Sequence, residues 1–524
     1  MNDFIARYQN ELSGSLSGFD RLVLYGTLWR NRLSGMKGYL WAHKLGAKDF
    51  GQHAEQVSKR VKEAALATML AANRPVQYLN SGKDDKQKIA LQIAARDGVT
   101  QGPICALTAV ELCSSYAIRL DPSTQKPRLQ IAPRKCLFVY QYWMHPVFGF
   151  MSVRLQTWFP FPIHVYLNGR EWLAQQMNCA GIGYRRQANC FPWIQDIVRA
   201  QQLMDEQLKV NWVELLDPIA ERIHPLLFSE LSVGYPMKYY WTCSASEWAM
   251  DLMFRDPAKL RRLMPALLQL GIVSFSSPDV LRFMGKKVSQ QGGPFGQALP
   301  LTSDLKIRTN GARVKHRLGP NSVKLYDKAY EPKGAILRVE ATITVPKYFK
   351  VFRQTEAQGS ELDWRPMRQA IADLHHRGEV SQKMLDRYCS ALAVIDDSTT
   401  LEELPSTIER RVHWKGKSVR ALHPFDPQDH SLLKAVNRGE FTIKGLRNRD
   451  LQSLLFPTAP KTQAEKRQRS SAIGRKLRLL RAHGLIRKRP KSHSYDVTPK
   501  GRTIINAITL AHQVSLNKLL STAA

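Results

Sequence analysis

Between Cys136 and Val153 the chain runs CLFVYQYWMHPVFGFMSV, a stretch with no Asp, Glu, Lys or Arg. Its length is close to that of a membrane-spanning helix, about 20 apolar residues. Its interior argues otherwise. Gln141, the pair His145-Pro146 and Gly149 read as a turn between two strands, so no spanning helix is expected. The neighbouring segments follow suit. PICALTAVELCSSYAIRL, LQIAPRKCLFVYQYW, FGFMSVRLQTWF and PIHVYL read as strands with proline and glycine punctuation. The sequence therefore commits residues 103–168 to a sheet. NGREWLAQQM then opens a helix, with Asn168 as N-cap and Glu171 positioned for a capping box.

Around that sheet the expected class is α+β: a central mixed or antiparallel sheet with a helical insertion, a helical N-terminus and a C-terminal winged helix. Residues 1–100 show helix-like apolar spacing, with Arg21, Arg30, Arg32, Lys37 and Lys44 as basic positions. Residues 169–292 read as a helical insertion that includes SASEWAMDLMF and PAKLRRLMPALLQLGIVSF. Residues 289–304 are rich in Gly, Pro and Ser and read as a linker. Strands return at 305–345 and join 103–168 in one core domain. A helical connector is expected at 361–400, and a separate module at 428–515.

The balance of charge narrows the partners. The 524 residues carry 77 Lys+Arg against 44 Asp+Glu, a formal +33, and 44% are hydrophobic. A chain able to build cores yet this basic fits a polyanion, nucleic acid before anionic membrane. Seven cysteines without a CxxC pair or a Cys/His metal spacing suggest reduced thiols and a cytoplasmic setting. The polar N-terminus MNDFIARYQNE does not read as a signal peptide.

The last hundred residues have their own pattern: helix, short strand, helix, helix, then RKRPKSHSYDVTPKGR as a two-stranded wing, then a closing helix. This order, with LRLLRAHGLIRKRPKSHSYDVTPKGR as its local cue, resembles the winged helix-turn-helix of many DNA-binding regulators. The resemblance implies a recognition helix in a duplex groove with cationic flanks on phosphates. The candidate contacts are Arg469, Ser471, Arg475, Lys476, Arg478, Arg487, Lys488, Arg489 and Lys491. Gln468, Ser470, Ser471 and Arg475 are the candidate base readers.

A second pattern lies in the core. In NSVKLYDK (321–328) strand alternation puts Val323 and Leu325 on one face and Lys324, Tyr326 and Lys328 on the other. In ILRVEATI (336–343) it sends Arg338, Glu340 and Thr342 outward. ARVKHRL adds Arg313, Lys315 and Arg317 from one face and His316 from the other. A tyrosine hydroxyl among cations and carboxylates has a chemical use in phosphodiester cleavage. Tyr326 would be the nucleophile, with Lys324, Lys328 and Arg338 offsetting charge. Glu340, with Asp327 or His316, would help hold Mg²⁺ or Mn²⁺. The same residues also suit a basic binding sheet without chemistry, or a plain solvated face.

The pattern Ser322, Val323, Lys324, Tyr326, Asp327, Lys328, then Arg338 and Glu340, is similar to the YDK…RxE segment of replication initiators from rolling-circle plasmids and filamentous phages. That resemblance implies a metal-dependent enzyme that nicks one strand and joins it through a tyrosine. It spans about 20 residues. The His-hydrophobic-His pair of many such enzymes is missing, and neither Ile163-His164-Val165 nor His375-His376 replaces it.

Further candidates for the same cleft are Glu111, His145 and His164. The run with Arg154, Gln156, Trp158, Phe159, Phe161 and Tyr166 could stack single-stranded bases. No GxxxxGK[ST], GxGxxG after a strand, HEXXH or GxSxG is found, so no ATP-driven motor is expected. The leading expectation is a DNA-binding protein of a plasmid, phage or other mobile element, a replication initiator or nickase. Duplex would bind at the winged helix and a single strand at the core. The alternatives are a non-enzymatic winged-helix regulator and an RNA-binding protein.

Overall fold

The computed structural model describes all residues except 1, 81–83, 276, 287–299, 309–310, 331–333, 355–360, 394–407, 438–440, 442–444, 457, 461, 491 and 513–524. The expected linker at 289–304 lies mostly outside the described residues. The chain divides into two compact units. One holds residues 5–264 and 303–386, the other 265–302 and 387–524 with 2–4.

The first unit is α+β and centres on one eleven-stranded sheet. Its strands are β1 (Leu12–Thr27), β2 (Val76–Tyr78), β3 (Gly102–Leu120), β4 (Pro127–His145), β5 (Gly149–Gln156) and β6 (Ile163–Asn168), then β9 (Tyr240–Phe254), β10 (Leu301–Arg308), β11 (Gly311–Leu318), β12 (Asn321–Tyr330) and β13 (Gly334–Ile343). A separate hairpin supplies β7 (Tyr184–Gln187) and β8 (Cys190–Ile194). The spatial order is β10-β11-β12-β13-β9-β1-β6-β5-β4-β3-β2. β2 runs parallel to β3, while β1, β9 and the hairpin-linked neighbours pair antiparallel. The uncharged stretch at 136–153 is the β4–turn–β5 hairpin, its turn held by the His145 Nδ1 accepting from the Val147 amide at 3.1 Å.

Two expectations of helix are overturned. β1 lies inside the segment read as helical over 1–100. Its Leu22, Leu24 and Gly26 are buried, while Val23, Tyr25 and Thr27 are half-buried, the two-residue period of a strand. Two bulges break that period, which is why the spacing looked helical. β9 lies inside the segment read as helical over 169–292. From Trp248 to Phe254 it is buried on both faces, and a strand covered on both sides carries an apolar run instead of an alternation. The hairpin of β7 and β8 falls in the same segment. In the expected connector at 361–400, a short strand (Asp363–Pro366) precedes a helix at Leu374–Leu392; 394–400 lie outside the described residues.

Helices cover one face of the sheet. The helix Phe50–Ala71 takes a hydrogen bond from the buried Gln141 amide onto the Ala65 carbonyl. Arg377 of the helix Leu374–Leu392 donates to Ile343 O at 3.1 Å and Ser246 Oγ at 3.3 Å. On the other face, two helices (Gly169–Cys179 and Ile197–Asp205) lie against the start of β1, and Gly18 there leaves room for Met204. Asn168 caps the first of these, accepting from the Arg170 amide at 2.8 Å and the Glu171 amide at 3.3 Å. The Glu171 carboxylate goes to Arg186 instead of closing a capping box.

In the second unit, helices Pro427–Val436, Asn448–Leu455, Gln463–Ala482 and Pro499–Ala511 surround a core of Leu432, Val436, Leu451, Ile473, Leu477, Leu480, Ile505 and Ile508. A three-stranded sheet places Ser494–Val497 between Leu446–Arg447 and Ile486–Lys488.

A side chain at Gly169 would run into the Phe19 carbonyl, so the helix Gly169–Cys179 reaches β1 only through a glycine. Gly169→Ala is expected to destabilise the protein by about 1–3 kcal/mol, read as a lower Tm. An unchanged Tm would show that this helix contact adapts.

Candidate functional site

The site forms where β12, β13, β9 and β1 lie side by side. Cross-strand partners share a face. Register pairs Lys324 with Glu340, Tyr326 with Arg338, Arg338 with Asp251, and Thr342 with Glu247. Glu247 in turn pairs with Arg21 of β1. Asp20 is the extra residue in the β1 bulge between Phe19 and Arg21. A bulge re-aims a side chain, and this one brings Asp20 onto the same face as Arg21. Four strands thus send Asp20, Glu247, Asp251, Lys324, Arg338 and Glu340 to one place. β11 adds Arg313, Lys315 and Arg317 beside them.

The geometry is that of a closed ion network. Arg338 grips Asp251 with two bonds of 2.6 and 2.8 Å. It also reaches Asp20 at 3.3 Å and the Asn189 carbonyl, in the β7–β8 turn, at 2.6 Å. Asn189 donates back to both Asp20 oxygens, at 3.1 and 2.9 Å. Arg170 closes on Asp251 at 3.1 Å. The Lys324 ammonium donates to Glu247 at 3.1 Å and to Glu340 more closely still. Arg21 binds Glu247 at 2.9 Å. Four carboxylates (Asp20, Glu247, Asp251, Glu340) therefore meet four cations (Arg21, Arg170, Lys324, Arg338).

Proton affinities follow from burial and these partners. Burial works against ionisation of Asp251, but Arg338 and Arg170 outweigh it and hold its carboxyl below the usual range. Burial pushes Glu340 up, with Lys324 pulling against it. Tyr326 is raised by burial first and by the Glu340 charge second. Lys315 is brought down to about 8 by burial and by Lys324, Arg317 and Arg313 around it.

Asp20, Glu247 and Glu340 each place an oxygen within 4.8 Å of the others, close enough for one metal ion. A resident divalent ion does not fit this arrangement. The Lys324 ammonium already binds two of the three carboxylates, and Arg338 and Asn189 engage the third. An ion would enter only in place of the lysine.

Of the residues expected at this site, Lys324, Tyr326, Arg338 and Glu340 do share one face. Lys328 shares it too, its ammonium 5.4 Å from the Tyr326 ring centre. Asp327 and His316 do not join Glu340. They pair with Leu337 and Val323, so strand alternation turns both to the opposite face. His316 is buried there on Ser303 at 2.8 Å, and burial lowers its pKa to about 4. Glu111 is bound by the Tyr140 hydroxyl and Arg154, far along the sheet order. His145 serves its turn. His164 lies between Tyr25 and Tyr166, lowered to about 4 by burial and by Arg154. Trp158, Phe159 and Phe161 are buried in the core. Only Arg154 and Tyr166 of that run stay half-exposed on the sheet face.

Asp20, Glu247, Asp251, Arg170 and Asn189 were not singled out from sequence. All lie in segments read as helical, so no strand register related them to Glu340. The available signal was Asp251 alone within the apolar AMDLMF, since a buried charge needs a partner.

In the second unit, Ser471, Arg475 and Arg478 are exposed on the helix Gln463–Ala482, with Arg467 on the same stripe. Arg487 and Lys488 are exposed on the hairpin, and Lys476 is half-buried. Two expected contacts are already engaged: Arg469 with Glu465, and Arg489 with Asp496 at 2.7 Å. Lys491 lies outside the described residues.

No family model and no curated protein matches the chain. Among solved structures, the di-domain ARO/CYC BexL from the BE-7585A biosynthetic pathway aligns over 58% of this chain and 92% of its own, at 9% identity and a TM-score of 0.16. Overlap that low carries no argument about fold or function.

Lys324→Met would leave Glu247 and Glu340 buried without their shared cation, at an expected cost of about 3–5 kcal/mol. Mn²⁺ should then raise the Tm of the variant by more than that of the wild type. Equal shifts would mean that the carboxylates hold no ion even when the lysine is gone.

Proposed function

We propose that this is a DNA-binding protein whose C-terminal module docks on duplex as a winged helix. One observation carries the reading. A 20-residue helix exposes Arg467, Ser471, Arg475 and Arg478 along one stripe, beside a hairpin exposing Arg487 and Lys488. A helix with this stripe can enter a major groove while the flanking cations neutralise phosphates. The formal +33 of the chain supplies the long-range attraction. Arg475→Ala and Arg478→Ala should each weaken duplex binding and lower the slope of log K against log salt by about 0.9. Fluorescence anisotropy across a salt series reads both. Unaltered slopes would remove this helix from the interface.

A second reading goes further: cleavage of one DNA strand at Tyr326. It is favoured by the tyrosine sharing a face with Lys324, Lys328, Arg338 and Glu340, and by the similarity of this segment to rolling-circle replication initiators. A protein of a plasmid, phage or other mobile element would follow. In this reading the Tyr326 oxygen attacks phosphorus and the P–O3′ bond breaks. A 5′-phosphotyrosine forms and a 3′-hydroxyl leaves. The raised Tyr326 pKa means that the phenol must lose its proton during attack, and Glu340 is a carboxylate on that face with raised proton affinity. Lys328, beside the Tyr326 ring and outside the ion network, would offset charge on the phosphate. No step is assigned to Mg²⁺ or Mn²⁺.

Supercoiled DNA from the neighbouring genetic region, with and without Mg²⁺ or Mn²⁺, tests the second reading. Relaxed circles carrying protein on the 5′ end, lost in Tyr326→Phe, are expected. Intact supercoils beside clear duplex binding would leave the non-enzymatic regulator. Tighter binding to RNA than to DNA at matched salt would favour an RNA-binding protein.

A further inference from the structure

Away from the ion network, a small hairpin of the first unit pairs Lys350–Arg353 with Asp363–Pro366. Its register sets Phe352 directly opposite Trp364. Their rings stand 5.8 Å apart, tilted by 54°. Phe352 is 51% exposed and Trp364 61%. Single exposed apolar residues are ordinary. Two large aromatics opposed on one outward face, each more than half in water, are not, because such a pair gains most when covered.

The hairpin is held from behind. Val351 is buried on its inner face. Arg353 donates to the Pro366 carbonyl at 2.9 Å and to the Gln354 carbonyl at 3.0 Å. The ladder and the bond to Pro366 tie the two strands of the hairpin to each other, with the rings on the face opposite Val351. Lys347 and Lys350 are exposed close by, with Arg353 and Arg365 on the same hairpin. These four cations outnumber the neighbouring Glu361 and Asp363.

We propose that Phe352 and Trp364 form a base-stacking platform for single-stranded nucleic acid, with Lys347 and Lys350 on its phosphates. The proposal rests on the DNA-binding reading above and adds a contact in the first unit. A flat aromatic face accepts any unpaired base, while cations beside it follow the backbone. Paired bases in a duplex present no open face to such a platform. The excess of positive charge favours a strand over a neutral protein surface.

The test uses the full chain with an oligothymidine strand of roughly twenty nucleotides, long enough to cover one binding site. Trp364→Ala and Phe352→Ala should each weaken binding roughly 5- to 150-fold, and Trp364→Phe should restore most of it. The aromatic variants should leave the salt slope unchanged, whereas Lys350→Ala should lower it by about 0.7. Both rings are exposed, and an unchanged melting profile confirms that the variants remain folded. Wild-type-like affinity of both alanine variants overturns the platform. Duplex binding without single-strand binding also overturns it and leaves the DNA-binding reading standing. If the wild type binds neither form, both fall together. Rescue of an exposed-patch defect by a protein partner, with strand affinity untouched, would assign the patch to protein instead.

Discussion

The Arg338–Asp251 pair is the constraint around which the sheet is organised. It joins β13 to β9, and through Asp20 and Asn189 it reaches β1 and the β7–β8 turn. Arg170 adds the helix Gly169–Cys179. An arginine stripped of water is tolerated only when its donors are satisfied by well-placed acceptors. Here carboxylates and a backbone carbonyl from distant parts of the chain do this, so each part must be in register for the others to be stable. Burying such a network adds little net energy compared with an apolar core, but breaking it leaves an unpaired charge.

The Lys324 side of the same network explains what the face can do. Charges there cancel internally, so the centre itself offers no excess field to a ligand. Beside it on β11, Arg313 and Arg317 share Asp304 at 2.8 and 3.3 Å, so two cations there meet one carboxylate. Lys315 is brought down to about 8 by burial first and by Lys324, Arg317 and Arg313 after it. The catalytic reading therefore depends on Tyr326 and the cations at the margin of the network more than on the carboxylates within it.

Legibility varied with the environment of each strand. β3 to β6 could be read because turn residues punctuate them and one or both faces alternate. Register within NSVKLYDK and ILRVEATI could be read for the same reason, and it placed Lys324, Tyr326, Arg338 and Glu340 correctly on one face. The same alternation already turned Asp327 and His316 the other way, so the metal set assembled around Glu340 conflicted with the strand geometry used for the tyrosine. β1 was missed because its two bulges shift the period, and β9 because burial on both sides leaves no period to see. With those strands unread, Asp20, Glu247 and Asp251 had no place beside Glu340.

By itself the sequence determined the α+β class, the hairpin at 136–153, the order of elements in the last hundred residues and which residues of β12 and β13 share a face. These depend on turn chemistry and side-chain alternation, which act over a few residues. The expectation that Arg338 and Glu340 face outward is overturned, since both are buried. Only the tertiary structure decided that β9 and β1 complete the sheet beside β13, that a bulge turns Asp20 inward, and that Lys324 stands among the carboxylates. Those outcomes depend on pairing between residues up to 318 positions apart. The free energy of a buried charge is fixed by which partners surround it, and no local pattern records that.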